Sequence, residues 1–106
     1  MSSQSQLIYN ITHKVSHAIH ISWLAWMQQD HIPRILDTGC FTKASFYRLK
    51  EVDDTEGPTY VVQFHAALEA DYERYLQDFA STFRQEAFNK WGDQFIAFRT
   101  IMEVVN

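Results

Sequence analysis

The sequence has little of what marks several large classes of protein. Its 106 residues include one cysteine, three glycines and two prolines, and 9 basic residues face 13 acidic ones. The lone Cys40 cannot form an internal disulfide, so we expect an inert thiol and a cytoplasmic location. No run of Lys or Arg could follow a phosphate backbone, so neither nucleic acid nor a membrane is an expected partner. No apolar stretch approaches the roughly 20 residues that span a bilayer.

What is present indicates one packed domain. Hydrophobic residues make up 46% of the chain and aromatic residues 15%, which is typical of a globular protein. We predict a single domain over residues 7–106, preceded by a disordered leader over residues 1–6. The leader lacks a basic patch followed by an apolar core, so it is not expected to be a secretion signal.

Two hydrophobic periods alternate along the chain. Alternating apolar and polar residues predict strands, whereas a 3.6-residue period predicts helices. The predicted strands cover residues 7–15, 41–51, 58–66 and 94–105, and the predicted helices cover residues 18–30, 33–38 and 69–90. The acidic connector between the second and third strands suits a hairpin.

The first predicted helix carries an apolar stripe that ends in a histidine. The stripe comprises Ile19, Trp23, Leu24, Trp26 and Met27. Pro33 disfavours helical geometry at the residue before it, so this helix should break near His31. A short second helix is then predicted, with Pro33 at its first position and Gly39 just past its end.

The order of elements predicts the fold class. Strand, helix, strand, strand, helix, strand is the split βαβ pattern of an α+β, ferredoxin-like fold, a four-stranded antiparallel sheet with both helices on one face. Both parities of the third and fourth strands carry large apolar residues, more than a solvated sheet face needs. We therefore expect a second copy of the chain to cover the open face, giving a homodimeric α/β barrel.

Two other functions of this fold are disfavoured by missing residues. An RNA-recognition domain needs aromatic residues on its central strands within a basic surface, and the acidic balance argues against one. An acylphosphatase-like enzyme needs a glycine-containing, phosphate-cradling loop after the first strand, and residues 14–18 contain no glycine.

Three segments carry a resemblance to a known family. They are Trp23-x2-Trp-Met-x3-His-Ile-Pro33 continuing to Phe41, Thr59-Tyr-Val-Val-Gln-Phe64, and Trp91-Gly-Asp-Gln-Phe-Ile-Ala-Phe-Arg-Thr100. The chain resembles a family of short bacterial proteins of unknown function over about residues 7–104. That resemblance implies a ferredoxin-like fold and brings no activity. The family usually has Phe-Gly where this chain has Trp91-Gly92.

The helix that ends in His-x-Pro supports a more distant likeness. It is similar to the EthD-type branch of the dimeric α/β barrel superfamily, where the histidine lies at the mouth of a pocket between helix and sheet. That superfamily includes cofactor-independent monooxygenases, lactone isomerases and proteins with no known reaction. Since this analogy is at the level of fold, it does not supply a chemistry.

His31 is the candidate catalytic residue, and its position allows both a functional and a structural interpretation. It could be a general base or a ligand-binding group, because imidazole exchanges protons near neutral pH. It could instead be a core or capping histidine bonded to a carbonyl at the helix end. Trp23 and Trp26 would be pocket walls in the first case and core residues in the second.

A second candidate set is polar and comes from three strands. Asn10 and Thr12 share a parity on the first strand, and Gln63 and Arg99 lie on two others. If they meet on the open face, they form either an intersubunit hydrogen-bond network or a recognition site for a polar or anionic ligand. We name Asn10, Gln63 and Arg99 as candidate ligand-binding residues.

Three early histidines invite a metal interpretation that we do not adopt. His13, His17 and His20 are four and three residues apart, but the change from strand to helix falls between them. No nearby carboxylate or thiolate completes a site. We therefore expect a solvated cluster, with no bound metal and no cofactor.

Two functional hypotheses remain open from the sequence. In the first, the chain is a dimeric small-molecule-binding barrel with a pocket near His31. In the second, it is a non-catalytic dimeric module whose aromatic residues only pack and whose surface contacts another protein. An enclosed cavity beside His31 would favour the first, and a filled core with His31 bonded only to backbone would favour the second. A crystal structure with no cavity large enough for a ligand would remove the first hypothesis.

Overall fold

The computed structural model of this chain describes residues 6–106, and its elements follow the predicted order. The four strands are β1 (Leu7–Val15), β2 (Lys43–Arg48), β3 (Thr59–Ala66) and β4 (Phe95–Glu103). The four α-helices are α1 (His20–Trp26), α2 (Ile32–Leu36), α3 (Glu69–Asp78) and α4 (Ala80–Trp91). A π-helical turn, Met27–His31, joins α1 to α2, and a 3-10 turn, Gly92–Gln94, precedes β4. Of the predicted leader, residues 1–5 lie outside the described residues.

The strands form one antiparallel sheet in the order β2-β3-β1-β4. β1 lies in the centre, where Ile11 pairs with Val62 of β3 and with Arg99 of β4. The hairpin predicted between β2 and β3 is confirmed, since Phe46 lies opposite Val62. This is the four-stranded ferredoxin-like arrangement that the sequence predicts.

The core lies between one face of the sheet and the helices. Along β1 the buried residues alternate with partly exposed ones, and the buried parity continues across the neighbouring strands. Trp23 of α1 packs against this face at the ring of Tyr60, and Tyr75 of α3 packs against it at the ring of Tyr9. Both helical regions therefore cover the same face and leave the other face open.

The predicted helix break near His31 is wrong. The backbone stays helical through His31 and Ile32, and the N–H of Ile32 bonds the carbonyl of Met27 five residues earlier. This π turn inserts one extra residue just before Pro33, where a regular α-helix would meet the proline ring and its missing N–H. The capping role considered for His31 is wrong for the same reason, because no helix ends there.

The single helix predicted over residues 69–90 is interrupted. Its backbone leaves helical geometry at Phe79, where φ is −130° and ψ is −32°. Phe79 N–H still bonds the carbonyl of Tyr75, so the interruption is a kink and not a loop. The kink places Tyr75, Ala80, Phe83 and Ala87 in the core, while Leu76 stays exposed.

β2 is shorter than the predicted strand over residues 41–51. Phe41 is buried in the core before the strand begins, and the chain leaves the sheet after Arg48. The connector to β3 contains Gly57, whose φ of +144° places its backbone directly against the carbonyl of Val15. Among residues 6–106, no helix is both long and apolar enough to cross a membrane.

Candidate functional site

A small cavity lies on the helix-covered face of the sheet, between β1, β4 and the helices α2, α3 and α4. Its volume is about 40 Å³, which is room for a few water molecules. Its lining is Tyr9, Ile11, His13, His31, Ile35, Tyr75, Phe83, Arg84, Ala87, Phe95 and Arg99. Two buried imidazoles line it among apolar and aromatic residues, and the exposed side chains of Arg84 and Arg99 border it.

His31 lines this cavity from the end of the π turn. Its ring stacks on Trp26 with centroids 4.4 Å apart and meets the edge of Phe83 at 5.8 Å. Its Nδ1 atom is buried and has no hydrogen-bond partner among the described residues. Burial lowers the pKa of His31 to about 4, although the carboxylates of Glu86 and Asp30 act in the opposite direction. The neutral ring therefore faces a cavity and is not tied to a carbonyl through Nδ1.

His13 is a second imidazole on this cavity, contributed by β1. It is 6% exposed, so the expectation of a solvated cluster is wrong for this residue. Its Nδ1 also has no hydrogen-bond partner among the described residues. Burial above all, together with the charges of His31 and Arg99, lowers the pKa of His13 to about 3.

The other two early histidines lie elsewhere. His17 contacts the carbonyls of Asp54 and Thr55, and Nε2 of His20 lies 2.8 Å from the hydroxyl of Tyr60. Within residues 6–106, no group of three or more His, Cys, Asp or Glu side chains is arranged to hold a metal ion.

Arg99 is brought to the cavity and not to the open face. It pairs with Ile11 in the register of β4, which places it on the helix-covered side, and its Nε donates to the hydroxyl of Tyr9 at 3.1 Å. Arg84 of α4 donates to the same oxygen at 2.9 Å. The proposed meeting of Arg99 with Asn10 and Gln63 is therefore wrong, because Asn10 and Gln63 lie on the open face of the sheet and Arg99 lies on the helix-covered face.

Asn10 and Gln63 do meet, on the open face of the sheet. They are cross-strand partners, and Nε2 of Gln63 donates to Oδ1 of Asn10 at 3.3 Å. Nδ2 of Asn10 reaches Oγ1 of Thr12 at 3.5 Å. This polar row is separated from His31 by the thickness of the sheet and belongs to a different surface.

The two candidate tryptophans have different positions. Trp26 is partly buried, stacks on His31 and meets Trp91 edge-on at 5.8 Å. Trp23 is fully buried and contacts His13, Phe46 and Tyr60 without lining the cavity. Trp26 therefore orients the imidazole, and Trp23 belongs to the core.

The chemistry open to this cavity follows from the neutral imidazoles. A general base is most effective when its pKa lies near the working pH, and pKa values of about 3 and 4 make both rings weak bases. Their ring nitrogens are still good hydrogen-bond donors and acceptors. The arrangement is therefore better suited to binding and orienting a molecule than to taking a proton from it.

Tyr9, His13 and Arg84 belong to this site but were not predicted from the sequence. For His13 the signal was present, because it shares its parity with Tyr9 and Ile11, whose apolar character marks the buried face of β1. Arg84 is an exposed residue of α4, and its position over Tyr9 depends on tertiary packing that no local pattern encodes.

The family of this chain follows from its match to a protein-family model. The model of the family described as a domain of unknown function, DUF4286, matches residues 6–105. The chain belongs to this family. No curated protein matches the sequence.

Solved structures show which folds the DUF4286 chain resembles. A dimeric ferredoxin-like protein from an uncultured marine organism has a TM-score of 0.72 at 13% identity, with 96% of this chain and 97% of that chain covered. An EthD family protein from Bacillus halodurans has a TM-score of 0.69 at 9% identity, covering 93% and 99%. SnoaB, a cofactor-independent oxygenase from Streptomyces nogalater, has a TM-score of 0.69 at 11% identity, covering 95% and 94%. At these identities the likeness establishes the ferredoxin-like fold and not a reaction.

Proposed function

We propose that this chain forms a homodimeric α/β barrel that binds a small organic molecule beside His31, without a bound cofactor. In this proposal His31 is the orienting group, Trp26 holds its ring, and Arg99 is a polar anchor. Trp23 supports the site only from the core. Asn10 and Gln63 serve the contact between subunits and not the ligand.

The observation that carries this proposal is the set of polar groups without partners around the cavity. Nδ1 of His13 and Nδ1 of His31 are buried and unpartnered, and both residues line the same cavity as Arg99. A buried polar atom without a hydrogen bond costs about 1–3 kcal/mol, so each of these two nitrogens favours a polar partner in the cavity. Nε1 of Trp23 and Nε1 of Trp91 are also unpartnered, but neither residue lines the cavity. A bound molecule with matching polar groups would recover that free energy.

The proposed ligand requires the cavity to open. A volume of about 40 Å³ is too small for an organic molecule, since ligand pockets commonly measure about 300–1,000 Å³. The cavity borders Arg84 and Arg99, which are exposed side chains with many rotamers. We propose that these two side chains change rotamer when the ligand enters and stay at the rim of the enlarged cavity, where they contact the ligand.

The open face of the sheet supports the proposed dimer. Phe98 is 57% exposed and Ile96 is 56% exposed on this face, beside the polar row of Asn10 and Gln63. Such large apolar side chains commonly mark an interface. The dimeric ferredoxin-like neighbour and SnoaB show that this fold occurs in a dimer and in a cofactor-independent oxygenase.

One observation favours the second candidate, a non-catalytic dimeric module. His31 is packed tightly between Trp26 and Phe83, as a core residue would be. In that case the cavity would hold only water. We also propose a cytoplasmic location, because the chain has a single cysteine. We propose no nucleic-acid or membrane partner, because the composition is acidic.

A thermal-shift screen against a metabolite library tests the proposed function. A ligand at about 100 times its Kd stabilises the native state by about 2.7 kcal/mol, which raises the Tm by several degrees. We expect at least one compound to do so with the wild-type chain and not with His31→Gln. His17→Gln, which removes an exposed histidine, should respond as the wild type does. If every hit raises the Tm of His31→Gln equally, the site is not at His31.

A further inference from the structure

Arg84 and Arg99 form a pair of cations that share one oxygen atom. Arg84 reaches the hydroxyl of Tyr9 from α4 with Nη2 at 2.9 Å, and Arg99 reaches it from β4 with Nε at 3.1 Å. A guanidinium group stays protonated at all physiological pH values, so both side chains carry a full positive charge here. Two like charges are thus held close together by a neutral phenol.

These two arginines lack the carboxylate partner that the other described arginines have. Arg34 pairs with Glu86, Arg48 with Asp54 and Arg74 with Asp71. Within residues 6–106, no carboxylate lies within 4.0 Å of Arg84 or Arg99, and residues 1–5 contain neither Asp nor Glu.

The hydroxyl of Tyr9 adds a third donor at the same point. Its oxygen accepts both arginine N–H groups, which uses its acceptor capacity. Among residues 6–106, no group accepts a hydrogen bond from this hydroxyl, although Tyr9 is only 2% exposed. Two cations therefore share one neutral acceptor, and the hydroxyl hydrogen of Tyr9 is left without an acceptor.

The cavity beside this cluster indicates what kind of anion fits. Its inner wall is apolar, from Ile11, Ile35, Phe83 and Phe95. A planar guanidinium group matches a planar carboxylate with paired hydrogen bonds. A molecule with a carboxylate at the rim and an apolar body toward His31 would satisfy both parts of the site.

We propose that Arg84, Arg99 and the hydroxyl of Tyr9 form a carboxylate-binding subsite, so that the ligand of this protein is a small apolar or aromatic carboxylic acid. The subsite rests on the proposed function, because it names the ligand class for the cavity beside His31. Binding of the carboxylate relieves the repulsion between the two guanidinium groups and supplies the acceptor that the Tyr9 hydroxyl lacks.

The test is an NMR titration of the arginine Nε–H signals with benzoate, at constant ionic strength. Benzamide, which has the same shape and no charge, is the control ligand. Benzoate should shift the Arg84 and Arg99 signals along a saturable curve, and benzamide should not. Arg84→Gln should weaken benzoate binding about tenfold, because it removes one charge-assisted hydrogen bond.

Arg74→Gln is the matched control, since it removes an exposed arginine from α3 that bonds the carbonyls of Thr38 and Gly39. It should bind benzoate as the wild type does. The subsite is overturned if Arg84→Gln also keeps wild-type affinity, if benzoate acts no more strongly than chloride, or if inorganic phosphate binds more tightly than benzoate.

The same titration separates the subsite from the proposed function. Benzoate binding that shifts the arginine signals but not those of the His31 ring supports the subsite and contradicts a ligand site at His31. Neutral library compounds that bind in a His31-dependent way while benzoate does not would support the proposed function and overturn the subsite.

Discussion

Two buried imidazoles, His13 and His31, are the residues on which the account of this protein depends. Each ring is held neutral by burial, which lowers its pKa to about 3 and about 4 respectively. In the unfolded chain the same groups titrate near 6.5. A difference of this size between the folded and unfolded states makes the free energy of unfolding depend on pH.

The sign of that dependence follows from the protons bound in each state. Between about pH 4 and 6.5 the unfolded chain binds a proton at each of these histidines and the native chain does not. The free energy of unfolding should therefore be fully maintained above pH 6.5 and fall as the pH falls. The expected slope is up to about 1.4 kcal/mol per pH unit for each ring. Urea denaturation at pH 7.0, 6.0 and 5.0 measures it.

Single-histidine variants show which residue causes the pH dependence of the free energy of unfolding. His13→Gln and His31→Gln should each reduce the slope by up to about 1.4 kcal/mol per pH unit, whereas His17→Gln, an exposed position, serves as the control. A wild-type free energy of unfolding that stays constant from pH 7.0 to 5.0 would show that these rings are not buried neutral groups.

At the residue scale the sequence predicts part of the site. The apolar stripe that ends at His31 identifies that residue, because a polar ring on a buried arc is unusual. Arg99 was identified but assigned to the wrong face, since its partners depend on the register between β1 and β4, which strand parity within one element does not determine. Arg84 has no signal at all in the sequence.

At the scale of elements, the two wrong predictions share a cause. A helical period can be read from the sequence, but both the π turn before Pro33 and the kink at Phe79 keep the chain helical while changing which face is buried. Neither interruption contains a glycine, and Pro33, which follows the π turn, was interpreted as a helix stop. Tertiary packing determines whether a helix stops, bulges or kinks at such a position. A local sequence pattern carries no information about that packing.

Gly57 gives a sharp prediction for the junction between β1 and the connector. A Cβ atom at this position would lie 1.7 Å from the carbonyl oxygen of Val15, at a φ of +144° that side chains rarely adopt. Gly57→Ala should therefore lower the free energy of unfolding by at least about 2 kcal/mol. Chemical denaturation measures the loss.

Gly39→Ala is the control for this substitution. Its φ is also positive, at +79°, but nothing lies within 4 Å of the added atom. The expected loss is about 1 kcal/mol, from backbone conformation alone. Equal losses at the two glycines would contradict the close approach of Gly57 to Val15.

At the scale of the whole molecule, the open face of the sheet carries the proposed dimer. Phe98→Glu places a charge among apolar side chains that a second copy would bury. We expect it to give a folded monomer, because an unpaired buried charge strongly disfavours association. Analytical ultracentrifugation measures the mass, and circular dichroism verifies the fold.

Phe88→Glu is a matched control on the opposite side of the molecule. Phe88 lies on α4 and is 59% exposed, against 57% for Phe98. The same change in charge and size there should leave the oligomeric state unaltered. A wild-type chain that is monomeric at all concentrations tested, or a Phe98→Glu chain that still dimerises, would exclude a dimer through this face.

The overall fold could be predicted far better than the site. Alternation along β1 and β3 and the order of the elements determine the antiparallel sheet and the face that the helices cover. The cavity could not be predicted, because it depends on the relative positions of β4, α2 and α4, which no sequence period specifies. His31 and Arg99 therefore line the same cavity for reasons visible only in the folded chain.

The most direct test of a ligand-binding dimer is native mass spectrometry of the purified protein after exposure to a library of small metabolites that includes aromatic carboxylic acids. We expect a dimer that carries up to one small molecule per chain, with the bound mass lost in His31→Gln and retained in His17→Gln. A chain that stays free of any bound compound, or a bound mass that survives in His31→Gln, would contradict it.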